Sequence, residues 1–595
     1  MAEYLFELLA EEIPAWMHDN AQSALRERLA KMLEPLGMKD AADSVTVMST
    51  PRRIAIFLSN LPEREADRQI EVKGPPRKSA LDADGKPLPA LTGFLKKNNA
   101  GIDDLLPASD EYVRIRKQIA GRATEDLIRE GLPDIIESIR WPKTMRWGTG
   151  EHSFIRPVHS ILSIFEGRHV PLSMFGIESG TTTSGHRTLA PQRFEVKSFN
   201  DYVSKLELAR VVVDPVRRRH VMAERARVLA TDVGGTAALD ATIWSQWQYL
   251  TEYPGVVRAE FRSEYLALPE EVLVTVMRVH QKQLPIHDRS GKLTNYFLAV
   301  IDNDGDPDGH AAYGNSFVTN ARFADAKFFH DTDRKKKLDE RVDSLSHLQF
   351  QEKLGNYLDK TKRIEQIAAA ICKETGIDAE PTLRAAHLSK ADLVTEMVKE
   401  FTELQGRVGG IYAREEGLPD TVWQAIYDHY LPVNIDDALP RNVSGAAVSI
   451  ADRIDTLVGF FRIGAKPTGS KDPFALRRAA QGIVQILLNR DKRQVRIGID
   501  RLVDIALEAH GVAGEGAGAP LKQDLLAFFA ERVRTILEAS AWGFAYDEIA
   551  ATMEAGWASS LADLVDRTAA LKEVRNESNF LSVLDSAKRI ENITA

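Results

Sequence analysis

The spacing of apolar residues changes near Asn315, and this change constrains the fold more than any other feature of the chain. Before it, short alternating segments such as residues 54–58 are mixed with turns and short helical patterns. After it, apolar residues recur at helical spacing almost without interruption. With 595 residues the chain is long enough to bury several cores. We therefore predict a multidomain α+β protein whose N-terminal and central part is mixed α/β and whose C-terminal half is mainly α-helical.

Composition and charge exclude several classes of protein. The chain is 44% hydrophobic and 27% charged, with a formal net charge of −9, as in ordinary globular proteins. The N-terminus has no basic region followed by an apolar core, and no segment has the length of an apolar membrane span. The single cysteine, Cys372, excludes an intramolecular disulfide and a thiolate metal cluster. We therefore expect a cytoplasmic protein.

Turn-rich passages divide the chain into four expected domains. A Pro/Gly/Lys-rich passage at 73–89 and an Ala/Gly-rich passage at 510–520 are typical of exposed loops or linkers. The expected domains are an N-terminal α/β unit at 1–65, a central mixed α/β module at 66–335, a helical domain at 336–505 and a helical C-terminal domain at 506–595. In the first of them, residues 45–48 and 54–58 predict strands, and the turn between them carries Arg52 and Arg53 at its edge.

A basic segment lies inside the third domain. Residues 451–461 predict an amphipathic helix, and Asp472 with Pro473 predicts the N-cap and first position of a second helix. Between residues 441 and 500 there are eleven Lys/Arg and five Asp/Glu, a local surplus of six cations in an acidic chain. Two interpretations stay open: a surface for a phosphate-bearing partner, or a solvated charged face.

The helical half also contains residues in the order found in HD-type phosphohydrolases. His387, Asp392, His429 and Asp452 follow one another on successive predicted helices, with Asp455 one turn later. However, Ala391 stands where the paired histidine of that metal site belongs, and losing one imidazole weakens a small ligand set severely. We expect a degenerate, metal-free helical module; the alternative is a hydrolase with a rearranged metal site.

Other patterns for nucleotide or metal chemistry are absent or incomplete. The sequence has no G-x-x-x-x-G-K-[ST] phosphate loop, no G-x-G-x-x-G after a strand and no H-E-x-x-H. Phe261-Arg262-Ser263-Glu264 matches the short ATP-binding signature of class II aminoacyl-tRNA synthetases, but its Gly-rich partner motif is missing. Asp304, Asp306 and Asp308 resemble half a calcium loop, yet Asn315 stands at its twelfth position in place of the required Glu. We interpret both as structural.

Read in order, thirteen short segments resemble the β subunit of bacterial tetrameric glycyl-tRNA synthetase. They are EEIP at 11–14, TPRR at 50–53, KGP at 73–75, TGF at 92–94, MRWG at 145–148, RPVH at 156–159, GHR at 185–187, HQK at 280–282, ADAKFF at 324–329, FQEKLG at 350–355, KADL at 390–393, EFTELQG at 400–406 and PTGSKDPFALRR at 467–478.

The resemblance implies that a separate α subunit makes glycyl-adenylate, using ATP and Mg, and that this chain has no catalytic residue and no bound cofactor. It implies tRNA(Gly), the α subunit and a second β subunit in an α2β2 assembly as partners. The implied domains are a tRNA-side module at 66–335, an HD-like domain at 336–505 and an anticodon-binding-type domain at 506–595. Family members usually continue beyond the position of Ala595, so we expect this last domain to be shortened.

Cations that lie beside aromatic residues or tight turns are the candidates for tRNA contacts, since Arg and Lys bind phosphate and Arg stacks on unpaired bases. The neighbouring aromatics Trp147, Phe328 and Phe329 are either stacking faces or core residues. The candidate residues are Arg146, Arg187, Arg322, Lys327, Lys353, Lys466, Lys471, Arg477, Arg478, Arg532, Arg534, Lys588 and Arg589.

Three functions therefore remain in competition. The first is the tRNA-binding, non-adenylating subunit of a glycine–tRNA ligase. The second is a metal-dependent nucleotide phosphohydrolase of the HD type. The third is a general RNA-binding scaffold without selectivity for tRNA(Gly).

Overall fold

A computed structural model describes residues 2–38, 41–82, 86–106, 111–237, 241–469, 471–491, 495–514, 516, 518–540 and 542–594. The chain divides into two compact units. Unit 1 comprises Met1–Ser263 and Met277–Thr319, and unit 2 comprises Glu264–Val276 and Asn320–Ala595. Strands are concentrated in unit 1 and helices in unit 2, which confirms the α+β class with a helical C-terminal half. The finer division into four domains stays a prediction.

Unit 1 contains the larger sheets and seven of the helices that the structure describes. Its strands are β1 (Ala2–Ala10), β2 (Val45–Thr50), β3 (Arg53–Leu61), β4 (Arg68–Pro76), β5 (Tyr112–Ile119), β6 (Val158–Phe165), β7 (Arg168–His169), β8 (Ser173–Met174), β9 (Ile177–Gly180), β10 (Thr182–Ser184), β11 (Arg193–Glu195), β12 (Gly235–Ala237), β13 (Pro254–Glu260), β14 (Leu284–Asp288) and β15 (Leu293–Asp302). Its helices are α1 (His18–Leu33), α2 (Arg77–Ala80), α3 (Pro89–Asn98), α4 (Thr124–Glu137), α5 (Phe199–Leu208), α6 (Pro215–Thr231) and α7 (Ala241–Trp247).

The main sheet of unit 1 is built around β1. Its strand order is β2-β3-β1-β6-β9-β8, with β7 paired to β6. Strand β1 pairs antiparallel with both β3 and β6, and it is almost entirely buried, which explains its nearly continuous apolar sequence. Helix α1 covers one face through Leu25, Leu29 and Leu33. The strands predicted at 45–48 and 54–58 are confirmed as parts of β2 and β3.

Arg53 is the main departure from the sequence prediction in this sheet. We expected it at the edge of the turn, but it is the first residue of β3 and is fully buried. Its Nε donates to Glu252 Oε1 at 2.8 Å, and its Nη1 donates to Glu7 Oε2 at 3.1 Å. The same guanidinium donates to Thr183 and to the Gly185 carbonyl. Two carboxylates and two further acceptors therefore compensate the buried charge.

The passage at 73–89, expected to be a loop or linker, is partly regular structure. Strand β4 extends to Pro76 and pairs antiparallel with β5, and α2 follows directly. The prolines are tolerated because β4 is an edge strand, with β5 as its only strand partner among the described residues. A Cβ atom at Gly74 would lie 2.8 Å from the Phe94 ring, so the glycine permits close packing of the KGP and TGF segments. Residues 83–85 lie outside the described residues.

A second sheet of unit 1 has the strand order β12-β14-β15-β13. Helix α6 packs on it through Met222 and Ala226. The acidic loop that follows β15 does not have the geometry of a calcium loop, because Asp306 accepts the backbone N–H groups of Ala311 and Ala312 at 2.9 and 2.7 Å. Its carboxylate thus caps the next helix, α9 (His310–Asp333).

Unit 2 is mainly helical. Its elements are α8 (Glu270–Thr275), α9 (His310–Asp333, which contains the division between the units), β16 (Gln349–Gln351), β17 (Gly355–Asn356), α10 (Tyr357–Thr375), α11 (Ala379–Leu388), α12 (Glu396–Glu400), α13 (Arg407–Glu415), α14 (Asp420–Asp428), α15 (Val443–Arg462), α16 (Leu476–Leu488), α17 (Ile499–Ala509), α18 (Gly518–Ala539), α19 (Tyr546–Glu554), α20 (Leu561–Val574) and α21 (Ser578–Thr594). None of the described helices has the length and apolar character needed to cross a membrane.

Helix α15 forms the centre of unit 2. Nearly all of its residues from Ser444 to Phe461 are buried, and it packs against α10, α11, α14, α16 and α17. The helix predicted at 451–461 is therefore confirmed. The following helix begins at Leu476 rather than at Pro473, because Ala475 adopts φ +54°. Asp472 nevertheless caps it, accepting the N–H groups of Leu476 and Arg477 at 2.9 Å each.

The passage at 510–520, expected to be a linker, also contains a residue that stabilises the packing of two helices. His510 follows α17 directly, is buried, and places Nε2 3.0 Å from Asp455 Oδ1 on α15. Helix α18 already begins at Gly518, while residues 515 and 517 lie outside the described residues. The first residue of the expected linker therefore fixes α17 against α15.

We predict that Arg53→Ala destabilises unit 1 strongly. The change leaves Glu7 and Glu252 buried without their counter-charge, which typically costs about 3–5 kcal/mol. Urea unfolding followed by circular dichroism should show the loss. Lys31→Ala, which removes only an exposed pair with Glu27, serves as the control and should leave the midpoint nearly unchanged. Equal midpoints for the two variants would contradict the assigned role of Arg53.

Candidate functional site

The site with the most unusual chemistry in unit 2 is a buried cluster of lysines and aspartates. Asp452 and Asp455 lie one turn apart on α15, and His429 follows the last residue of α14. Lys390 follows α11, and its ammonium lies between Asp452 and His429, with Nζ 2.7 Å from Asp452 Oδ2 and 2.9 Å from His429 Nε2. The structure therefore brings His429 and Asp452 together, as the sequence predicts, but a lysine ammonium joins them.

A second lysine completes the cluster. Lys360, on α10, places Nζ 2.8 Å from Asp452 Oδ1 and 2.9 Å from Asp455 Oδ2. The same ammonium donates to Thr456 Oγ1 at 2.8 Å. Arg363 donates to the other oxygen of Asp455 at 2.5 Å, so both carboxylates are held by cations that belong to this chain.

Burial and pairing set the protonation states of the cluster. Burial opposes ionisation of Asp452 and Asp455, but their ion pairs outweigh it and hold both pKa values well below the usual range. Burial lowers the pKa of Lys390 to about 8, even though Asp452 favours its charged form. Burial, aided by the charge of Lys390, lowers the pKa of His429 to about 3. His429 is therefore neutral at pH 7, and its Nε2 accepts from the ammonium while its Nδ1 donates to the Ile426 carbonyl at 2.6 Å.

His387 and Asp392, the other two positions of the predicted HD-like set, make different bonds. Asp392 is buried and accepts the N–H groups of Gly406 and Gly409 at 2.6 and 3.0 Å. Burial raises the pKa of its carboxyl to about 6. His387 is half-buried, and its hydrogen bond to Glu365, at 2.8 Å, raises the pKa of the imidazole. Within the part of the chain that the structure describes, neither residue has a hydrogen bond or ion pair to Lys360 or Lys390.

The two lysines are the site residues that sequence reasoning missed. A signal existed for Lys360, which precedes Ile364, Ile367 and Ile371 on one buried stripe of α10. A cation on an apolar stripe indicates a buried partner of opposite charge. Lys390 directly precedes Ala391, the position at which the paired histidine of an HD-type metal site is missing, and no local pattern indicates that this lysine is buried.

Lysine ammonium groups lie beside both carboxylate oxygens of Asp452, where a divalent cation would have to bind. Among the described residues there is no group of three or more His, Cys, Asp or Glu side chains that could hold a metal ion. Asp452 already interacts with two ammonium groups, whose charge would repel an approaching Mg²⁺ or Mn²⁺. The absence of metal nevertheless stays a prediction, and so does the HD-like classification of this domain.

The predicted tRNA-contacting cations fall into two groups. Those of the first group form no ion pair or side-chain hydrogen bond with another described residue, and all are exposed: Arg146, Lys353, Lys471, Arg478, Lys588 and Arg589. Side chains of this kind can bind a phosphate without first losing a partner.

The cations of the second group are engaged within the protein. Several form ion pairs: Arg187 with Glu12, Arg322 with Glu400 at 3.3 Å, Lys327 with Asp331 at 2.5 Å, Lys466 with Asp524, and Arg532 with Glu531 at 2.5 Å. Arg477 donates to the Gly469 carbonyl at 2.6 Å, and Arg534 lies over the Tyr546 ring. A phosphate would have to compete with these contacts.

The aromatic residues near these cations also differ in their surroundings. Trp147 is half-buried and packs on the core of unit 1, with its ring 6.3 Å from that of Phe175. Phe329 is half-buried and contacts the Phe401 ring at 6.3 Å. Phe328, in contrast, is 65% exposed. Of the three, only Phe328 offers an open stacking face.

Comparisons with known proteins agree over nearly the whole chain. A family model described as "Glycyl-tRNA synthetase beta subunit" matches residues 4–554. The chain is 38% identical to the "Glycine--tRNA ligase beta subunit" of Acidobacterium capsulatum, with 100% of this chain and 85% of the relative aligned. Proteins of the same name from Geobacter metallireducens and Clostridioides difficile are 37% and 35% identical, and the alignments cover 100% and 99% of this chain and 86% and 85% of those relatives.

We predict that the purified chain takes up no stoichiometric divalent metal. After incubation with Mn²⁺ or Zn²⁺ and gel filtration, mass spectrometry of the elements should find far less than one ion per chain, because Lys360 and Lys390 occupy the carboxylates. Phosphomonoesterase activity should be absent in the same sample. One bound ion per chain, with phosphatase activity that Asp392→Ala abolishes, would overturn this prediction.

Proposed function

The chain belongs to the family of glycyl-tRNA synthetase β subunits, and we propose that it binds tRNA(Gly) and positions its acceptor end for glycylation at the active site of a separate α subunit. The observation that carries the proposal is the family match over residues 4–554. Membership makes the chain a subunit of an aminoacyl-tRNA synthetase, and the family designation implies an α-subunit partner.

The two competing functions receive less support. A metal-dependent phosphohydrolase is not supported, because the relatives are named as ligase subunits and the carboxylate of Asp452 is held by two lysines. A general RNA-binding scaffold differs from our proposal only in selectivity. It would bind other tRNAs as tightly as tRNA(Gly), and a filter-binding comparison distinguishes the two.

The physical contribution of such a subunit is positioning. Transfer of glycine from an adenylate requires the terminal ribose hydroxyl of tRNA to lie beside the activated carbonyl. Holding two reactants in register lowers a barrier by about 7–11 kcal/mol in favourable cases. A large chain that makes many phosphate contacts provides this without a catalytic residue of its own. ATP and Mg then act at the α subunit, and no cofactor binds to this chain.

The exposed cations that have no partner among the described residues are the phosphate contacts that we propose for tRNA. Arg146 lies in unit 1, whereas Lys353, Lys471 and Arg478 lie in unit 2 and Lys588 and Arg589 lie on α21. Each phosphate contact is modest and depends on salt, so affinity grows from their number. The engaged cations, such as Lys327 and Lys466, contribute less because each must exchange an intramolecular partner for a phosphate.

The assembly and the cell compartment are parts of the same proposal. We place two copies of the chain in an α2β2 enzyme in the cytoplasm, where tRNA is charged. In this proposal the helices α18–α21 serve as the anticodon-binding-type end. The HD-like domain serves as a helical support for RNA rather than as a hydrolase.

The division of labour predicts that this chain alone forms no glycyl-adenylate. The purified chain should bind tRNA(Gly) but show no glycine-dependent ATP–pyrophosphate exchange, and exchange with tRNA charging should appear when the α partner is added. A preparation of the α subunit alone is the matched control. Exchange by this chain without a partner would overturn the proposal.

The basic segment provides a second prediction. Reversing Lys471 and Arg478 to Glu should weaken tRNA(Gly) binding and lower the slope of log affinity against log salt, by roughly 0.7–0.9 for each lost phosphate contact. Reversing Lys466 and Arg477 should have a smaller effect, because both already have partners. Lys399→Glu, an exposed cation paired with Glu396, is the control. An unchanged slope in the Lys471/Arg478 variant would make this segment structural.

A further inference from the structure

Four of the sequence segments singled out above meet at one cavity in unit 2. The cavity has a volume of about 600 Å³, within the range of small-molecule sites. Phe350 comes from FQEKLG, Lys390 from KADL, Gln405 from EFTELQG, and Phe474 and Arg478 from PTGSKDPFALRR. These segments span more than a hundred residues of sequence, so their convergence is a property of the fold and not of local packing.

The walls of the cavity offer aromatic faces. Phe350, Tyr357, Tyr427, Tyr430 and Phe474 line it. The Phe474 ring stacks on Phe460 with centroids 4.2 Å apart, yet Phe474 remains 45% exposed. The Phe460 ring thus holds the Phe474 ring in place, while part of the Phe474 surface remains accessible to a ligand. Such a supported ring is a suitable stacking platform for a planar heterocycle.

The charge of the cavity is positive. Among the described residues that line it, Lys360, Lys390, Arg407, Arg453 and Arg478 are cations, and only Glu403 and Asp452 are acids. The two lysines are neutralised by the buried aspartates, and Arg453 donates to the carbonyls of Tyr430 and Pro432 at 2.7 and 2.9 Å.

Arg407 and Arg478 differ from the other three cations. Both are exposed, and neither forms a hydrogen bond or ion pair with another residue that the structure describes. Two uncommitted guanidinium groups at a cavity with aromatic walls match a ligand that carries both a planar ring system and a phosphate.

The backbone at the cavity wall supports this interpretation. Ala475 lines the cavity with φ +54°, a left-handed conformation that is unfavourable for a residue with a Cβ atom. The Asp472 carboxylate caps the helix that starts directly after it. Strain that the surroundings maintain at a cavity wall is more common at ligand sites than elsewhere.

We propose that this cavity binds a nucleotide, with the base stacked on the Phe474 side and the phosphate bound by Arg407 and Arg478. The nucleotide comes either from solution or from an unpaired position of a bound RNA. The site goes beyond the proposed function, since tRNA positioning does not require a nucleotide pocket in the helical unit.

The experiment compares two probes on the full chain. Calorimetry measures binding of AMP, with adenosine and inorganic phosphate as fragments of the same ligand. Fluorescence anisotropy measures binding of a labelled, 5′-phosphorylated tetra-adenylate. The test variants are Phe474→Ala and Arg407→Ala, with Arg407→Lys to retain charge without the planar fork. Matched controls outside the cavity are Phe317→Ala, an exposed aromatic, and Lys373→Ala, an exposed cation on α10.

We expect AMP or the tetra-adenylate to bind, and each test variant to weaken that binding about tenfold or more while the controls do not. AMP binding identifies a free nucleotide as the source; binding of the tetra-adenylate alone identifies RNA. The thermal unfolding midpoint of Arg407→Lys should equal that of the wild type, which shows that a loss of binding is not caused by a loss of folding.

The proposal is wrong if neither probe binds, if the variants bind as the wild type does, or if phosphate alone binds as tightly as AMP and Phe474→Ala has no effect. The AMP measurement needs no tRNA, so its result is independent of whether the chain positions tRNA(Gly).

Discussion

Ammonium groups buried between carboxylates are the interaction on which the helical unit depends. Lys360 joins α10 to Asp452 and Asp455 on α15, and Lys390 joins the end of α11 to the same helix and to His429. None of these charges is tolerable alone in the interior, since a buried unpaired ion costs several kcal/mol. The arrangement of α10, α11, α14 and α15 is therefore fixed by charge pairing as well as by apolar packing.

Unit 1 follows the same rule with a guanidinium in place of the ammonium groups. One guanidinium, that of Arg53, holds two carboxylates, Glu7 of β1 and Glu252. Tyr202 of α5 donates to Glu7 at 2.6 Å, so the pairing also connects the sheet to a helix that covers it. In both units a buried polar cluster lies at the point where several segments of distant sequence meet. Such clusters specify which segments pack together, a task that apolar side chains perform with less selectivity.

The sequence was sufficient for what depends on local pattern. Alternation predicted β2 and β3, helical spacing predicted α15, and an ordered set of short segments led to the correct family.

Features that depend on distant partners were not predictable. Arg53 is 199 residues from Glu252, and Lys360 is 95 residues from Asp455, so no window of sequence shows that these cations are paired and buried. The start of α16 was predicted too early. Asp472 does cap the helix, but Ala475 stands between the cap and the first helical residue with a positive φ, a conformation that local rules assign to glycine. Of the candidate site, the meeting of His429 and Asp452 was predictable, whereas the lysine between them was not.

A cation that is part of the chain differs in one respect from a cation taken from solution. The stabilisation that a bound metal ion gives to a fold grows with the logarithm of the free metal concentration. The stability of a fold that needs the ion therefore changes with the supply of that metal. The ammonium of Lys390 is tethered beside Asp452, and its local concentration does not change with the composition of the cell. Our prediction that this cluster binds no metal therefore implies that the interior of the helical unit is uncoupled from metal homeostasis. A component of the translation apparatus built in that way would keep its shape through metal starvation.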